Sequence, residues 1–227
     1  TAFSAVPSEA PWEFALAAGF LAFEWFSDQK IDAEGQVHGW AFGDDDAAKI
    51  AAKRELAQRR GIWQTVHAPW QANLLKPGGA EAVQASLAYA CELGAELVNI
   101  HLYSEAGPEA FFKVLRPLAR LARQFGQRLS LENTPETSPR DFNQVFALIA
   151  GEIELRDTLG LCLDIGHANL CADTRNDYIR FIDELSSDVP LIHLHVHENW
   201  GDADRHLPLF TGPSQENDSG VRLFLDR

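Results

Sequence analysis

Short apolar runs alternate along this chain with longer amphipathic stretches. The apolar runs are "FLAFEWF" (20–26), "WQTVHA" (63–68), "AELVNIHL" (95–102), "RLSLENT" (128–134), "LGLCLDIGH" (159–167) and "LIHLHVHEN" (191–199), with "FSAV" (3–6) a weaker candidate. Between them lie "DDDAAKIAAKRELAQRRG" (44–61), "GGAEAVQASLAYACELG" (78–94), "GPEAFFKVLRPLARLARQFG" (107–126), "SPRDFNQVFALIAG" (138–151) and "DTRNDYIRFIDELSSD" (173–188). Each has apolar residues at helical spacing and an acidic, Ser, Asp or Gly start, and several end in glycine. Strands separated by such helices make βα units, and these build a parallel sheet.

The repeat is about 30 to 35 residues per unit, the size that an α/β barrel of the (β/α)8 type requires. Seven strands and six or seven helices are expected, and "SGVRLFLDR" (219–227) reads as the start of one more helix. A closed barrel has eight strands. The expectation is one TIM-barrel domain over residues 1–227, with strand eight beyond Arg227. An open doubly wound sheet would carry a glycine-rich phosphate turn after its first strand, and the sequence has none.

Composition narrows the class of protein. Hydrophobic residues make up 46% and charged residues 23%, as in ordinary globular chains. No apolar run approaches the roughly 20 residues of a membrane helix, and no secretory signal pattern is present. The chain starts at Thr1 and has no methionine, which is unusual at 227 residues. Cys91, Cys162 and Cys171 are far apart and lack CxxC pairing, so they read as reduced thiols of a cytoplasmic protein. The net charge of -14 opposes phosphate backbones, and "KRELAQRR" and "RPLARLAR" have the spacing of solvated helix faces. Nucleic acid is therefore a disfavoured partner. The oligomeric state is not legible, and a homo-oligomer is compatible with everything above.

The candidate chemistry sits at strand ends, where barrel active sites are built. His67, His101 and Glu132 end three successive strands, Asp164 and His167 the next, and His195 lies in the last. Seven of the eight histidines fall at or just after strand ends, His38 being the exception. Each residue alone has an ordinary explanation. A strand-end histidine can be a hydrogen-bonded rim residue, Glu132 a helix cap, and "DIGH" a turn with an aspartate N-cap. Several strand ends carrying only imidazole and carboxylate toward one mouth are better explained by a shared metal site. Such donors suit Zn, Mn, Fe or Co, because these ions accept nitrogen and oxygen ligands together. In "LIHLHVHENWGDADRH" (191–206), a period of two puts His193, His195 and His197 on one strand face. Three histidines on one face cannot reach one ion, and His193, the deepest, is expected to be a packed interior residue. Asp204 and His206, two apart in an extended loop, can chelate one ion together.

"VHAPWQANL" (66–74), "VNIHLY" (98–103), "LENTPE" (131–136), "LGLCLDIGHANL" (159–170) and "HVHENWGDADRHLP" (195–208) resemble the xylose-isomerase-like barrel superfamily, which includes endonuclease IV of AP endonuclease family 2. The similarity spans five strands in order. It implies His67, His101, Glu132, Asp164, His167, His195, Asp204 and His206 as metal ligands, on the pattern of a trinuclear zinc cluster. Glu132 would also be a catalytic residue, as in the sugar epimerases of the superfamily. The chain departs from the nuclease pattern in three places. The final glutamate of strand eight has no counterpart, "LYSEAG" (102–107) replaces a proline-glycine, and His197 and Glu198 stand where the nuclease has asparagine and aspartate.

The resemblance implies a divalent-metal sugar or sugar-phosphate isomerase or epimerase, using zinc or manganese, one to three ions. The metal would hold adjacent carbonyl and hydroxyl oxygens and stabilise an enediolate while Glu132 moves the proton. His197, Trp70 and Trp200 are the expected substrate contacts, with Trp40 a further apolar face for a carbohydrate. A zinc phosphodiesterase of the endonuclease IV type is the alternative, favoured by the full ligand pattern and opposed by the charge. A non-catalytic barrel that binds metal or a metabolite is the third.

Overall fold

The computed structural model describes residues 11–31, 34–216, 221 and 224–226. Six strands share one parallel sheet with helical crossovers, the arrangement of a partial (β/α)8 barrel. They are β1 (Ala22–Phe26), β4 (Trp63–His67), β5 (Leu97–His101), β6 (Arg128–Glu132), β7 (Leu159–Asp164) and β8 (Leu191–His195), adjacent in that order. All six coincide with apolar runs read from the sequence. The "FSAV" candidate lies outside the described residues, as does most of "SGVRLFLDR". The sequence did not reveal an antiparallel hairpin of β2 (Asp28–Ile31) and β3 (Val37–Trp40), inserted after β1. No helix among the described residues is long and apolar enough to cross a membrane.

The chain divides into two compact units, residues 1–100 with 118–129, and residues 101–117 with 130–227. The first holds α1 (Pro11–Ala18), the hairpin, α2 (Ala47–Arg60) and α3 (Gly79–Leu93) around β1 and β4. β1 pairs in parallel with β4 from Ala22↔Trp63 to Phe26↔His67. Asp46 caps α2 by accepting from the Lys49 amide at 2.8 Å, and Gly61 closes it in the left-handed region. An aromatic cluster fills this unit, with Trp25 5.1 Å from Trp12 and 5.5 Å from Trp40, and Phe42 stacked on Tyr89 at 4.6 Å. Lys53 lies 4.0 Å over the Trp25 ring and 4.7 Å over Trp40, and it is ion-paired with Asp45. Trp40 is thus packed among aromatic rings and under the Lys53 ammonium. α4 (Pro108–Gln124) connects β5 to β6.

The second unit builds its core from Leu102, Phe111, Leu115, Leu131, Phe142, Phe146, Leu161, Leu163 and Phe181. α5 (Pro139–Ile149) starts at Ser138, whose amide and hydroxyl both donate to Asp141 at 2.8 Å, with proline at the first helical position. α6 (Ile165–Leu170) follows β7 directly, and α7 (Tyr178–Asp183) precedes β8. Every residue of β7 is buried. Asp164, its final residue, is its only charged side chain.

Candidate metal centre

The second unit brings together seven of the eight expected metal ligands. β6 ends in Glu132, 1% exposed, and β7 in Asp164, fully buried. A carboxylate this deep needs a compensating partner. Glu132 Oε1 lies 3.0 Å from His195 Nδ1 and 3.4 Å from His167 Nδ1, and Oε2 lies 3.5 Å from His101 Nε2. Asp164 faces His197 Nε2 at 3.0 Å, His167 Nδ1 at 3.6 Å and His195 Nδ1 at 3.7 Å. Asp164 is also an N-cap, its Oδ1 accepting from the His167 amide at 2.7 Å. The N-cap expected of "DIGH" is thus present, and the same side chain faces the imidazoles.

Asp204 and His206 close the group. Asp204 Oδ2 is 3.0 Å from His206 Nε2 and 3.3 Å from His167 Nε2. Donor atoms of His167, His197, Asp204 and His206 lie within 4.8 Å of one another, as do those of Glu132, Asp164 and His167. The loop carrying Asp204 and His206 is pinned at its base, where Glu198 and Leu207 exchange amide hydrogen bonds of 2.8 and 2.9 Å. His206 sits at φ 49°, a left-handed conformation unusual for a non-glycine residue.

The charges are mutually adjusted. Burial alone would raise the Asp164 pKa, but His167, then His195 and His197, hold it well below the usual carboxylate range. Asp204 is likewise pulled down by His167 and His206 against its burial. Burial would lower the His167 pKa, yet Asp164, Asp204 and Glu132 outweigh it and raise it well above the ordinary imidazole value. Tyr103, beside His101 with ring centroids 6.2 Å apart, is pushed up to about 12, first by burial and then by Glu105, Glu132 and Glu136.

The other expected residues fall as follows. His67 ends β4 in the first unit, buried, with Nδ1 2.6 Å from the Ala68 carbonyl. Trp70, also in the first unit, and Trp200, in the second, are about half exposed. His197, expected as a substrate contact, is buried, and its ring stacks on His206 at 3.9 Å. Gly166 makes room for it: a Cβ there would lie 1.9 Å from His197 Cε1.

Sequence reasoning missed the asparagines that hold this arrangement. Asn133 clamps β6 to β7, its side chain donating to the Asp164 carbonyl at 2.9 Å and accepting from the Asp164 amide at 2.8 Å. Asn199 donates to the Gly166 carbonyl at 2.7 Å and accepts from Asn169 at 2.9 Å. Their only sequence signal is adjacency to the chemistry in "LENT" and "HENW". If these residues hold a divalent ion, Asn133→Ala is expected to weaken its binding by about 10- to 100-fold, because it frees the backbone that aims Asp164. Chelator competition measures this, and an unchanged affinity would show that the clamp does not act on the site.

Buried carboxylate oxygens surrounded by imidazole nitrogens are the donor set that borderline divalent ions take, so these residues fit such an ion. An imidazole–carboxylate centre at the strand ends of a (β/α) barrel defines the class of this protein. The chain belongs to the family of xylose isomerase-like TIM barrels, whose model matches residues 12–220. Among solved structures it is similar to a D-tagatose 3-epimerase-like protein, at TM-score 0.66 and 23% identity, over 88% of this chain and 76% of that one. It is also similar to the TTHB071 protein of Thermus thermophilus, in a crystal soaked with zinc chloride, at TM-score 0.65 and 26% identity over 95% and 84% of the two chains. Endonuclease IV of the same organism matches at TM-score 0.60 and 24% identity, over 92% and 82%.

Proposed function

We propose that the chain is a divalent-metal-dependent isomerase or epimerase acting on a carbohydrate. The observation that carries this reading is Glu132, a buried carboxylate at a strand end, 3.0 Å from His195 Nδ1 and 3.4 Å from His167 Nδ1. His101, Glu132, Asp164, His167, His195, Asp204 and His206 would hold zinc or manganese, one to three ions. His67 keeps its place in the set on its sequence motif. When bound, such an ion supplies Lewis-acid polarisation of the substrate carbonyl and charge for the adjacent oxygen.

Glu132 then accepts the proton from the carbon beside the carbonyl. The C–H electron pair moves toward the carbonyl carbon, and the carbonyl π pair moves to its oxygen. Return of a proton to the opposite face gives the epimer; return to the former carbonyl carbon, with the adjacent hydroxyl proton passing to the alkoxide oxygen, gives the isomer. Trp70 and Trp200, half exposed, offer apolar faces for a sugar ring, and His197 orients the site through Asp164.

A phosphodiesterase of the endonuclease IV type is the second reading, supported by the Asp204–His206 pair. The net charge of -14 weighs against it, because duplex binding depends on neutralising several phosphates. One experiment ranks them. The metal-loaded protein is incubated in D2O with a panel of ketoses and aldoses, and in parallel with a duplex bearing an abasic site at low salt. Deuterium at the carbonyl-adjacent carbon is the expected result. Duplex cleavage without exchange would reverse the order, and neither reaction would leave a binding protein without turnover.

A further inference from the structure

β7 and β8 do not pair evenly. Leu161 opposes Leu191, but the next pair is Cys162↔His193, followed by Leu163↔Leu194 and Asp164↔His195. Ile192 is the extra residue, and it lies over Gly160, where a Cβ would come 2.5 Å from Ile192 Cγ2. A bulge of this kind re-aims every side chain beyond it. Without it, Cys162 would oppose Ile192. With it, His193 and His195 come into phase with Cys162 and Asp164 on one sheet face. Cys162 is fully buried, and the His193 and His195 rings are 5.1 Å apart. The Cys162 sulfur and one ring nitrogen from each histidine lie within 4.8 Å of one another.

We propose that Cys162, His193 and His195 form a second metal site, reaching two residue pairs deeper along β7 and β8 than Asp164. Its donor set differs from the carboxylate-lined centre. One thiolate with two imidazoles selects zinc over the hard, oxygen-preferring ions manganese and magnesium. Two ligands on a tetrahedral zinc ion stand about 3.4–3.6 Å apart, from Zn–S near 2.3 Å and Zn–N near 2.0–2.1 Å, so small side-chain rotations close the group. As the sulfur–zinc bond forms, the thiol proton leaves to solvent. His193 then has a metal-binding role instead of a packing one. His195 belongs to both groups and links the two layers.

The chain contains three cysteines and no methionine, so any sulfur–metal signal comes from Cys91, Cys162 or Cys171. The purified protein loaded with Co(II) is expected to show a thiolate-to-cobalt charge-transfer band in the near ultraviolet. Cys162→Ser should abolish the band and remove one equivalent of bound metal, and His193→Ala should do the same. Cys91→Ser and Cys171→Ser should leave both unchanged. A band that survives Cys162→Ser overturns the proposal. Should that variant fail to fold, zinc X-ray absorption on the wild-type protein decides: a sulfur scatterer at about 2.3 Å supports the site, and an all nitrogen and oxygen shell rejects it. None of these readouts involves turnover, so the outcome is separate from that of the isomerase reading.

Discussion

Glu132→Gln is expected to slow hydrogen exchange at the carbonyl-adjacent carbon of the substrate by about 10²- to 10⁴-fold, the usual worth of a positioned general base. The amide preserves shape in a position 1% exposed, so packing should survive. It loses the negative charge and the basic oxygen that face His195, His167 and His101. Because Glu132 is also an expected ligand, exchange is measured at saturating metal with bound metal determined in the same sample. Exchange that stays within a few-fold of wild type under those conditions removes the assigned role. Exchange fully restored by extra metal would make Glu132 a ligand alone.

Asp164→Ala should be the most damaging single change to the fold. The carboxylate lies against His167, His195 and His197 with no exposure, and it caps α6. Removing one member of a buried charge group costs about 3–5 kcal/mol, and losing an N-cap about 1 kcal/mol. At about 2–4 °C per kcal/mol for a domain of this size, the melting temperature should fall by roughly 10 °C or more. Asp164→Asn separates the two roles. Asparagine is a good N-cap, so α6 should recover, while metal affinity should remain as poor as in the alanine variant. An alanine variant that melts within a couple of degrees of wild type would contradict the electrostatic account.

The elements themselves were legible. The six sheet strands coincide with apolar runs, and α2, α3, α4 and α5 with helical periodicities bounded by caps and glycines. Both follow from local periods, which a single sequence carries. The hairpin of residues 28–31 and 37–40 was missed, because its strands are four residues each and show no alternation that stands out.

The site was legible in kind but not in arrangement. Glu132, Asp164, His167, His195, Asp204 and His206 were all found at strand ends or in the following loop, and the second unit does gather them. His197 carries the same period-two signal as His195, yet it is buried against Asp164 and His206, because Gly166 leaves room for its ring. Asn133, next to Glu132, carried no reading of its own and is the clamp on Asp164.

By itself the sequence determined which segments are strands, which are helices, and which strand ends carry imidazole and carboxylate, because those properties belong to one chain segment at a time. The tertiary structure alone decided which of these groups meet. A one-residue bulge at Ile192 sets the phase of β8 against β7, and it turns His193 toward Cys162 and His195 toward Asp164. Such a register belongs to a pair of strands some thirty residues apart, and no period within either strand records it.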